Sequence, residues 1–299
     1  MVTRRFILSS LALATVAVAL PLALPAMSFA PPLPELLIFD VNETMLDLGK
    51  LQRAVNQEFK SETAFKQWFS LLLQYSLVDT VTGNYHNFGQ IGDAALDMLA
   101  QALGQPARPA ARKKELLVLI TELPPHPDII PGLTALQQAG FRMVTLTNSP
   151  DATVQKQMAY AGLTGYFEQL LSIDSLKRYK PHPDTYRTTC ERLQVAPAQT
   201  MLVAAHGWDT AGAQLAGLQA AFIARPGQQT YPLAPSPTLT GPTLPDIARH
   251  AAHRGITRDD NFYFCRSRAP PDHDYASQGD RWAVPPQWRG NSRRTPRIR

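Results

Sequence analysis

Polar residues that can do chemistry follow directly after several short apolar runs of the chain. The first is Asp40, which comes after residues 36–39, and Thr44 lies four positions later. Thr147 with Asn148 and His206 with Asp209 occupy equivalent places, and Lys180 lies in residues 178–181, beyond the third such run. A carboxylate can act as a nucleophile that forms an ester, and a nearby lysine favours its charged form. Hydroxyl and amide groups can donate hydrogen bonds to a substrate or leaving group.

Each of these residues also has a structural interpretation. Asp40, Asn148 and Asp209 are residue types that cap helices, and Lys180 could be a solvated surface residue. In an open α/β sheet, however, ligands bind at the carboxyl ends of the strands. An aspartate, a hydroxyl, a lysine and a second aspartate at successive strand ends therefore favour one active site.

The elements that must position these residues alternate between strand and helix. Short apolar runs predict strands at residues 36–39, 142–147, 169–173, 200–204 and 220–223. Helical periodicity lies between them at residues 131–140, 183–193 and 209–218. This alternation predicts an α/β fold with a doubly wound parallel sheet and right-handed crossovers.

An insertion separates the first strand from the second. Residues 50–59, 64–77 and 91–103 show apolar spacing typical of helices, which predicts an inserted helical cap of four or five helices. The expected organisation is a core formed by residues 31–47 and 126–231, with the cap at residues 48–125. Residues 232–299 are expected to form a Pro-rich linker and a disordered, Arg-rich tail.

The net charge of +5 comes from the end of the chain. Residues 251–299 contain ten Arg, five Asp and neither Lys nor Glu, so the preceding residues are neutral overall. This balance argues against nucleic acid as a partner of the body of the protein. Two cysteines are too few for a disulfide framework, and neither has the spacing of a zinc site.

The first 30 residues predict a targeting segment. Arg4 and Arg5 precede an apolar run and resemble a twin-arginine signal, so we expect export to the periplasm. Cleavage after Ala30 would leave two prolines at the new terminus, so an uncleaved segment that contacts the membrane is an alternative. A translation start at Met27 would instead leave the protein in the cytoplasm.

Together these motifs resemble those of the haloacid dehalogenase (HAD) superfamily, and within it the type II, L-2-haloacid dehalogenases, over about residues 36–225. The resemblance implies a Rossmann-like core and a hydrolase resembling an (S)-2-haloacid dehalogenase. Asp40 would attack C2 of a short 2-haloalkanoic acid, and water activated by Asp209 would cleave the resulting ester to give a 2-hydroxy acid. Lys180 would hold Asp40 ionised and orient it, and Thr44 would donate a hydrogen bond to the substrate carboxylate or leaving group. A homodimer is expected by analogy.

The resemblance also implies a set of substrate-binding positions within the core and the cap. These are Thr147, Asn148, Tyr186, Phe69, Phe88 and Trp208.

Several residues depart from the family pattern. Asn42 stands where the phosphatases of the superfamily carry an aspartate that protonates the leaving alcohol, and an amide cannot deliver that proton. His206 and its neighbours bring no carboxylates for a magnesium ion, so we expect no metal and no cofactor. Phe69 takes the place of the cap arginine used in halide abstraction, and Ala204 takes the place of a serine.

Two alternatives therefore stay open for the function. One is a magnesium-dependent phosphatase of relaxed specificity, and the other is a binding protein that kept the fold after losing turnover. For His206, which replaces an asparagine, one hypothesis is that its neutral imidazole orients or deprotonates the hydrolytic water, with a pKa near 6.5. The other is that it only caps the following helix or fills space beside Trp208.

Overall fold

The structure is a computed structural model that describes residues 31–253 of the 299-residue chain. The predicted targeting segment at residues 1–30 and the tail from residue 254 onward lie outside the described residues. Within the described part of the chain, no helix is both long and apolar enough to cross a membrane.

A six-stranded parallel sheet forms the centre of the molecule, with the spatial order β3-β2-β1-β4-β5-β6. Its strands are β1 (Leu36–Phe39), β2 (Arg142–Thr147), β3 (Gln169–Ser172), β4 (Thr200–Ala204), β5 (Gln219–Ile223) and β6 (Leu239–Gly241). All four residues of β1 are buried, as expected for a strand covered on both faces. The predicted fold class is confirmed.

The strand order creates a crevice at one place in the sheet. β1 pairs with β2 on one side and with β4 on the other, so the chain reverses its direction of growth between β1 and β4. Phe39 is in register with both Thr145 and Val203, which brings the carboxyl ends of these three strands to the same edge. Such a switch point is where open α/β sheets bind ligands.

Four helices lie in the insertion between β1 and β2, and five more accompany the sheet in the described residues. The helices of the insertion are α1 (Gly49–Phe59), α2 (Ala64–Thr82), α3 (Phe88–Ala102) and α4 (Ala110–Val118). The others are α5 (Ile129–Gln138), α6 (Asp151–Tyr160), α7 (Pro183–Leu193), α8 (Gly207–Leu215) and α9 (Leu244–His253). The number in the insertion agrees with the expected four or five.

The linker predicted from residue 232 onward is wrong for its second half, because β6 and α9 lie there. Leu244, Ile247, Ala248 and Ala251 of α9 are buried and follow helical spacing. The Leu244 amide donates to the Asp128 carboxylate at 2.8 Å. Pro245 suits this segment, since a proline in the first turn of a helix lacks only an N–H that has no partner there.

Candidate active site

Asp40 lies at the switch point, directly after β1, and only 4% of its surface is exposed. Its amide donates to the Val203 carbonyl at 3.1 Å, which fixes the turn to β4. The Thr44 hydroxyl donates to Asp40 Oδ2 at 2.6 Å and accepts from the Ala205 amide at 2.9 Å. The predicted pair of nucleophile and hydroxyl therefore forms one rigid turn.

Lys180 bridges the two predicted aspartates. Its Nζ lies 2.7 Å from Asp40 Oδ1 and 2.7 Å from Asp209 Oδ2, and all three side chains are buried. The Tyr186 hydroxyl donates to the remaining oxygen of Asp209 at 2.5 Å. Both carboxylate oxygens of Asp209 therefore accept hydrogen bonds, and Asp209 holds the Lys180 ammonium in place.

The charges of this cluster shift its pKa values in opposite directions. Burial raises the pKa of the Asp40 carboxyl, but the Lys180 ammonium and the hydrogen bond with His206 outweigh burial and hold that pKa well below its ordinary value. Burial raises the pKa of Asp209 above its usual range despite the same lysine. Burial lowers the pKa of Lys180, yet its two carboxylate partners leave that pKa raised. Asp40 is therefore ionised at neutral pH.

His206 faces the other oxygen of the nucleophile. Its Nδ1 lies 3.1 Å from Asp40 Oδ2 and its Nε2 lies 2.9 Å from Glu43 Oε2. The ring stacks on Trp208 with centroids 5.2 Å apart. Burial lowers the pKa of His206, but the hydrogen bonds with Asp40 and Glu43 outweigh it and raise the pKa to about 9.

The charge state of His206 does not suit it as the base for the hydrolytic water, whereas its stacking on Trp208 agrees with the second hypothesis, that it fills space beside this ring. The group is an imidazolium at neutral pH, so both of its nitrogens donate and it cannot accept a proton from water. It is the residue before α8, but its side chain makes no capping hydrogen bond. Two carboxylates, one of them absent from the predicted site, determine its charge state.

Asn42 is held away from acid–base chemistry by its own hydrogen bonds. Its amide nitrogen donates to the Ser149 hydroxyl at 3.0 Å, and its amide oxygen accepts from Gln157 at 2.9 Å. Gln157 also donates to the Ile120 carbonyl, so Asn42 joins the core to the end of the insertion. Its position supports the prediction that no general acid stands there.

Three of the predicted substrate-binding residues form hydrogen bonds with other groups of the protein. The Thr147 hydroxyl accepts from the Ser149 amide at 3.1 Å, and Asn148 Oδ1 accepts from the Lys180 amide at 3.1 Å. Tyr186 is fully buried against Asp209. These contacts hold the loop, the lysine and the second aspartate in place.

The aromatic positions divide between a cavity and the packing around it. A cavity of about 50 Å³ lies between the insertion and the core, with Phe88, Trp68 and Leu117 on one side and Ser149 and Pro150 on the other. The predicted residue Phe88 is therefore part of its wall.

Phe69 and Trp208, the other two predicted aromatics, lie elsewhere. Phe69 stacks on Phe65 with centroids 5.6 Å apart, and it is not among the residues that line the cavity. Trp208 covers His206 instead. The position of the missing cap arginine thus belongs to an aromatic cluster within the insertion.

The donors at this edge do not fit a divalent cation. Both oxygens of Asp40 already accept from Lys180, Thr44 and His206, and the cationic groups would repel a metal. Across residues 31–253, no cluster of three or more His, Cys, Asp or Glu side chains is arranged to hold a metal ion.

Sequence reasoning missed Glu43, Ser149 and Gln157. Glu43 is the most consequential of the three, because its carboxylate accepts a hydrogen bond from His206. Its backbone has a left-handed φ of 64°. Its proximity to Asp40 in the sequence was the available signal. Nothing in the sequence alone reveals that a turn aims it at a residue after β4.

Comparison with known proteins matches this geometry to a family. The family model for haloacid dehalogenase-like hydrolases matches residues 34–217. The chain belongs to this family. It is similar to (S)-2-haloacid dehalogenase 1 of Pseudomonas sp. strain CBS-3, with 32% identity over 201 residues that cover 66% of this chain and 88% of that protein.

Two other relatives of the family agree. Haloacetate dehalogenase H-2 of Moraxella sp. strain B is 27% identical over 71% of this chain and 96% of its own length. The solved structure of L-2-haloacid dehalogenase from Xanthobacter autotrophicus with chloropropionic acid covalently bound is 25% identical, with a TM-score of 0.69. That match covers 75% of this chain and all of the other. The family assignment made from the motifs is confirmed, and the protein is a hydrolase.

Proposed function

We propose that this enzyme cleaves the carbon–halogen bond of short (S)-2-haloalkanoic acids through an ester on Asp40. The observation that carries the proposal is the buried Asp40 carboxylate, held ionised by Lys180 and oriented by Thr44. One similar protein is named an (S)-2-haloacid dehalogenase and another a haloacetate dehalogenase, which supports short 2-haloacids as substrates. The products are a 2-hydroxy acid and a halide ion.

In the first step, a carboxylate oxygen of Asp40 attacks C2 of the substrate. The new C–O bond forms as the carbon–halogen bond breaks, and the halide leaves with the bonding electron pair. A halide needs no proton to leave, so the amide of Asn42 is compatible with this step. The attack inverts the configuration at C2.

In the second step, water adds to the carboxyl carbon of the Asp40 ester. The carbonyl electrons move onto oxygen, and collapse of this intermediate expels the hydroxy acid, which takes up a proton from the attacking water. Asp40 returns to its carboxylate form and one proton leaves to solvent. The role of Asp209 as the base for this water stays a prediction, since both of its oxygens are engaged.

The insertion serves as a cap over this reaction. A cavity of about 50 Å³ with mainly apolar walls lies between α2, α3, α4 and the loop after β2, and Asp40 is not among the residues that line it. Phe88 contributes to its wall from the first turn of α3. An aromatic edge carries partial positive charge, which is the available substitute for the missing arginine at a departing halide.

A halide-release assay tests the proposal. The substrates are chloro-, bromo- and fluoroacetate and both enantiomers of 2-chloropropionate, and the control is Asp40→Asn. We expect halide from the wild type with the (S)-enantiomer and none from the variant. Hydrolysis of an aryl phosphate with magnesium would favour the phosphatase alternative, and binding of haloacids without turnover would favour the binding protein.

We also propose export through the N-terminal segment. Arg4 and Arg5 support it, since they precede the apolar run that follows them. A periplasmic reporter fused after residue 30 tests it, with both arginines changed to lysine as the control. Reporter activity with the natural pair alone supports export, whereas equal cytoplasmic retention of both forms supports a start at Met27.

Finally, we propose a homodimer formed through the insertion. Leu77, Val78 and Val81 on α2 are exposed, Val81 at 85%. Light scattering on the wild type and on Val81→Glu tests the interface. A dimer that dissociates in the variant supports the proposal, and a monomeric wild type contradicts it.

A further inference from the structure

The two oxygens of Asp40 have different surroundings. Oδ1 accepts one hydrogen bond, from Lys180 at 2.7 Å. Oδ2 accepts two, from Thr44 at 2.6 Å and from His206 at 3.1 Å. An oxygen with fewer donors is the better nucleophile, so Oδ1 suits the attack on C2. Oδ2 then remains as the carbonyl oxygen of the ester.

A second carboxylate holds His206 in this position. Glu43 Oε2 lies 2.9 Å from His206 Nε2, on the side of the ring opposite Asp40. The left-handed backbone of Glu43 is stabilised from outside, because His126 donates to its carbonyl at 3.0 Å. Arg225 donates to the next carbonyl, that of Thr44, at 3.0 Å. A strained residue held by the buried Arg225 and the half-buried His126 indicates a built arrangement.

We propose, on the basis of the dehalogenase function above, that His206 is a catalytic residue of ester hydrolysis and Glu43 is its positioning residue. The imidazolium and the Thr44 hydroxyl form an oxyanion hole for Asp40 Oδ2. When water adds to the ester, the carbonyl electrons move onto Oδ2, and the charge of His206 meets the charge that develops there.

Glu43 matters most in the ester state. Asp40 loses its negative charge when it forms the ester, so one of the two carboxylates that keep His206 protonated is lost. Glu43 alone then retains the imidazolium proton. Without Glu43, a buried histidine beside a neutral ester would become neutral, and its donation to Oδ2 would weaken.

Groups from the turn after β1 and from α8 face His206. Asp40 and Glu43 contact it from the turn after β1, and Trp208 stacks on it from α8. The Lys180 ammonium lies 5.9 Å from the Trp208 ring centroid and is already paired with two aspartates. The carboxylates therefore dominate the titration of the imidazole.

Single-turnover kinetics with (S)-2-chloropropionate test the proposal in Glu43→Gln and His206→Asn. Halide release measures ester formation, and mass spectrometry of the Asp40 peptide measures ester breakdown. We expect ester formation to change by less than about 3-fold in Glu43→Gln, whereas breakdown slows by about 10²-fold, as for a lost oxyanion donor. Glu122→Gln, which removes a charge paired with Lys50 at the surface, is the matched control and should behave as the wild type.

The pH profile of ester breakdown gives a readout that a purely structural role would not move. Breakdown requires the imidazolium, so it falls as pH rises. In the wild type we expect this limb between the ordinary pKa of about 6.5 and the pKa of about 9 in the free enzyme. In Glu43→Gln it should move to about 6.5 or below. NMR titration of the His206 ring in the free enzyme should show the same shift in direction.

The outcomes distinguish a failure of the proposed dehalogenase function from a failure of the oxyanion role of His206. If the wild type forms no Asp40 ester and releases no halide, the proposed function fails, and the NMR titration still tests the Glu43–His206 pair. If the ester forms and breaks down at the same rate and with the same pH limb in Glu43→Gln and the wild type, the oxyanion role is wrong. Unchanged breakdown in His206→Asn would overturn it as well.

Discussion

Two lysines of this protein make the same contacts in different surroundings. Lys180 bridges Asp40 and Asp209 at 2.7 Å each, and Lys113 in the insertion bridges Asp93 and Asp97 at 2.7 Å each. The side chains of the first two aspartates are at most 6% exposed, whereas those of the second two are nearly half exposed. Geometry alone would rank the two bridges as equal.

Burial decides what each bridge does. Charges removed from water interact strongly, and a buried charge that loses its partner is costly. Half-exposed pairs are screened by solvent and contribute little. The first bridge can therefore set the ionisation of a nucleophile, while the second only fixes α4 against α3. A histidine–carboxylate pair likewise occurs once buried and once exposed, and a glycine occurs once in a packed contact and once in open space.

The largest effect is expected from removing the buried lysine. Lys180→Met leaves two buried carboxylates without their cation, which should cost about 3–5 kcal/mol of unfolding free energy. Turnover should fall by at least about 10²–10³-fold, because Asp40 loses the charge that orients it. Denaturant unfolding and halide release measure both quantities.

Lys113→Met is the matched control for that variant. Its aspartates remain hydrated, so the loss of stability should stay near 0–1 kcal/mol and turnover should be unchanged. Equal losses of stability in the two variants would show that burial does not separate the bridges. Full activity in Lys180→Met would refute the assigned position of the lysine.

A smaller effect is expected from the pH dependence of stability at His206. Its pKa is raised on folding, from about 6.5 to about 9, so its contribution is fully present below pH 6.5 and is lost as pH rises through 9. The difference corresponds to about 3 kcal/mol, as an order of magnitude. His206→Asn should therefore lose stability relative to the wild type at pH 6 but much less at pH 9.5.

His86 supplies the exposed counterpart. Its ring nitrogen lies 3.0 Å from Asp79 Oδ2, but its side chain is 62% exposed. We expect His86→Asn to change the unfolding free energy by less than about 1 kcal/mol at either pH. A gap between the wild type and His206→Asn that is no larger than this would mean that burial does not strengthen the His206 pair.

The smallest effect concerns packing without charge. A Cβ at Gly132 would lie 2.4 Å from the Leu244 side chain, so Gly132→Ala should destabilise the contact between α5 and α9 by about 1–3 kcal/mol. Gly165 has open space around its Cβ position, and Gly165→Ala should be close to neutral. Thermal unfolding compares them, and halide release should stay unchanged in both. Equal melting temperatures would count against α9 as a packed element.

Strands and motifs were predictable because their signals are local. β1 and β4 are short apolar runs, and the chemistry-bearing residues follow them directly. The parallel sheet brings those ends together, whereas Lys180 reaches Asp40 from the loop between β3 and α7. Periodicity failed where polar side chains are buried. The insertion's α4 buries Lys113, and α6 buries Gln157, so neither shows a clean apolar stripe.

The charge state of His206 could not be predicted from the sequence. It depends on two carboxylates, and one of them is aimed by the left-handed backbone of Glu43. Local patterns carry no information on that direction. The sequence also could not show which of the predicted binding residues make contacts inside the protein. Tyr186 contacts Asp209 only because α7 packs against α8.

The covalent role of Asp40 is the central claim, and a single turnover in heavy-oxygen water tests it most directly. With enzyme in excess over (S)-2-chloropropionate, one oxygen of Asp40 passes to the product and one from water takes its place. We expect heavy oxygen in the peptide that contains Asp40 and an unlabelled hydroxyl in the 2-hydroxy acid. Label in the product with none in Asp40 would contradict it.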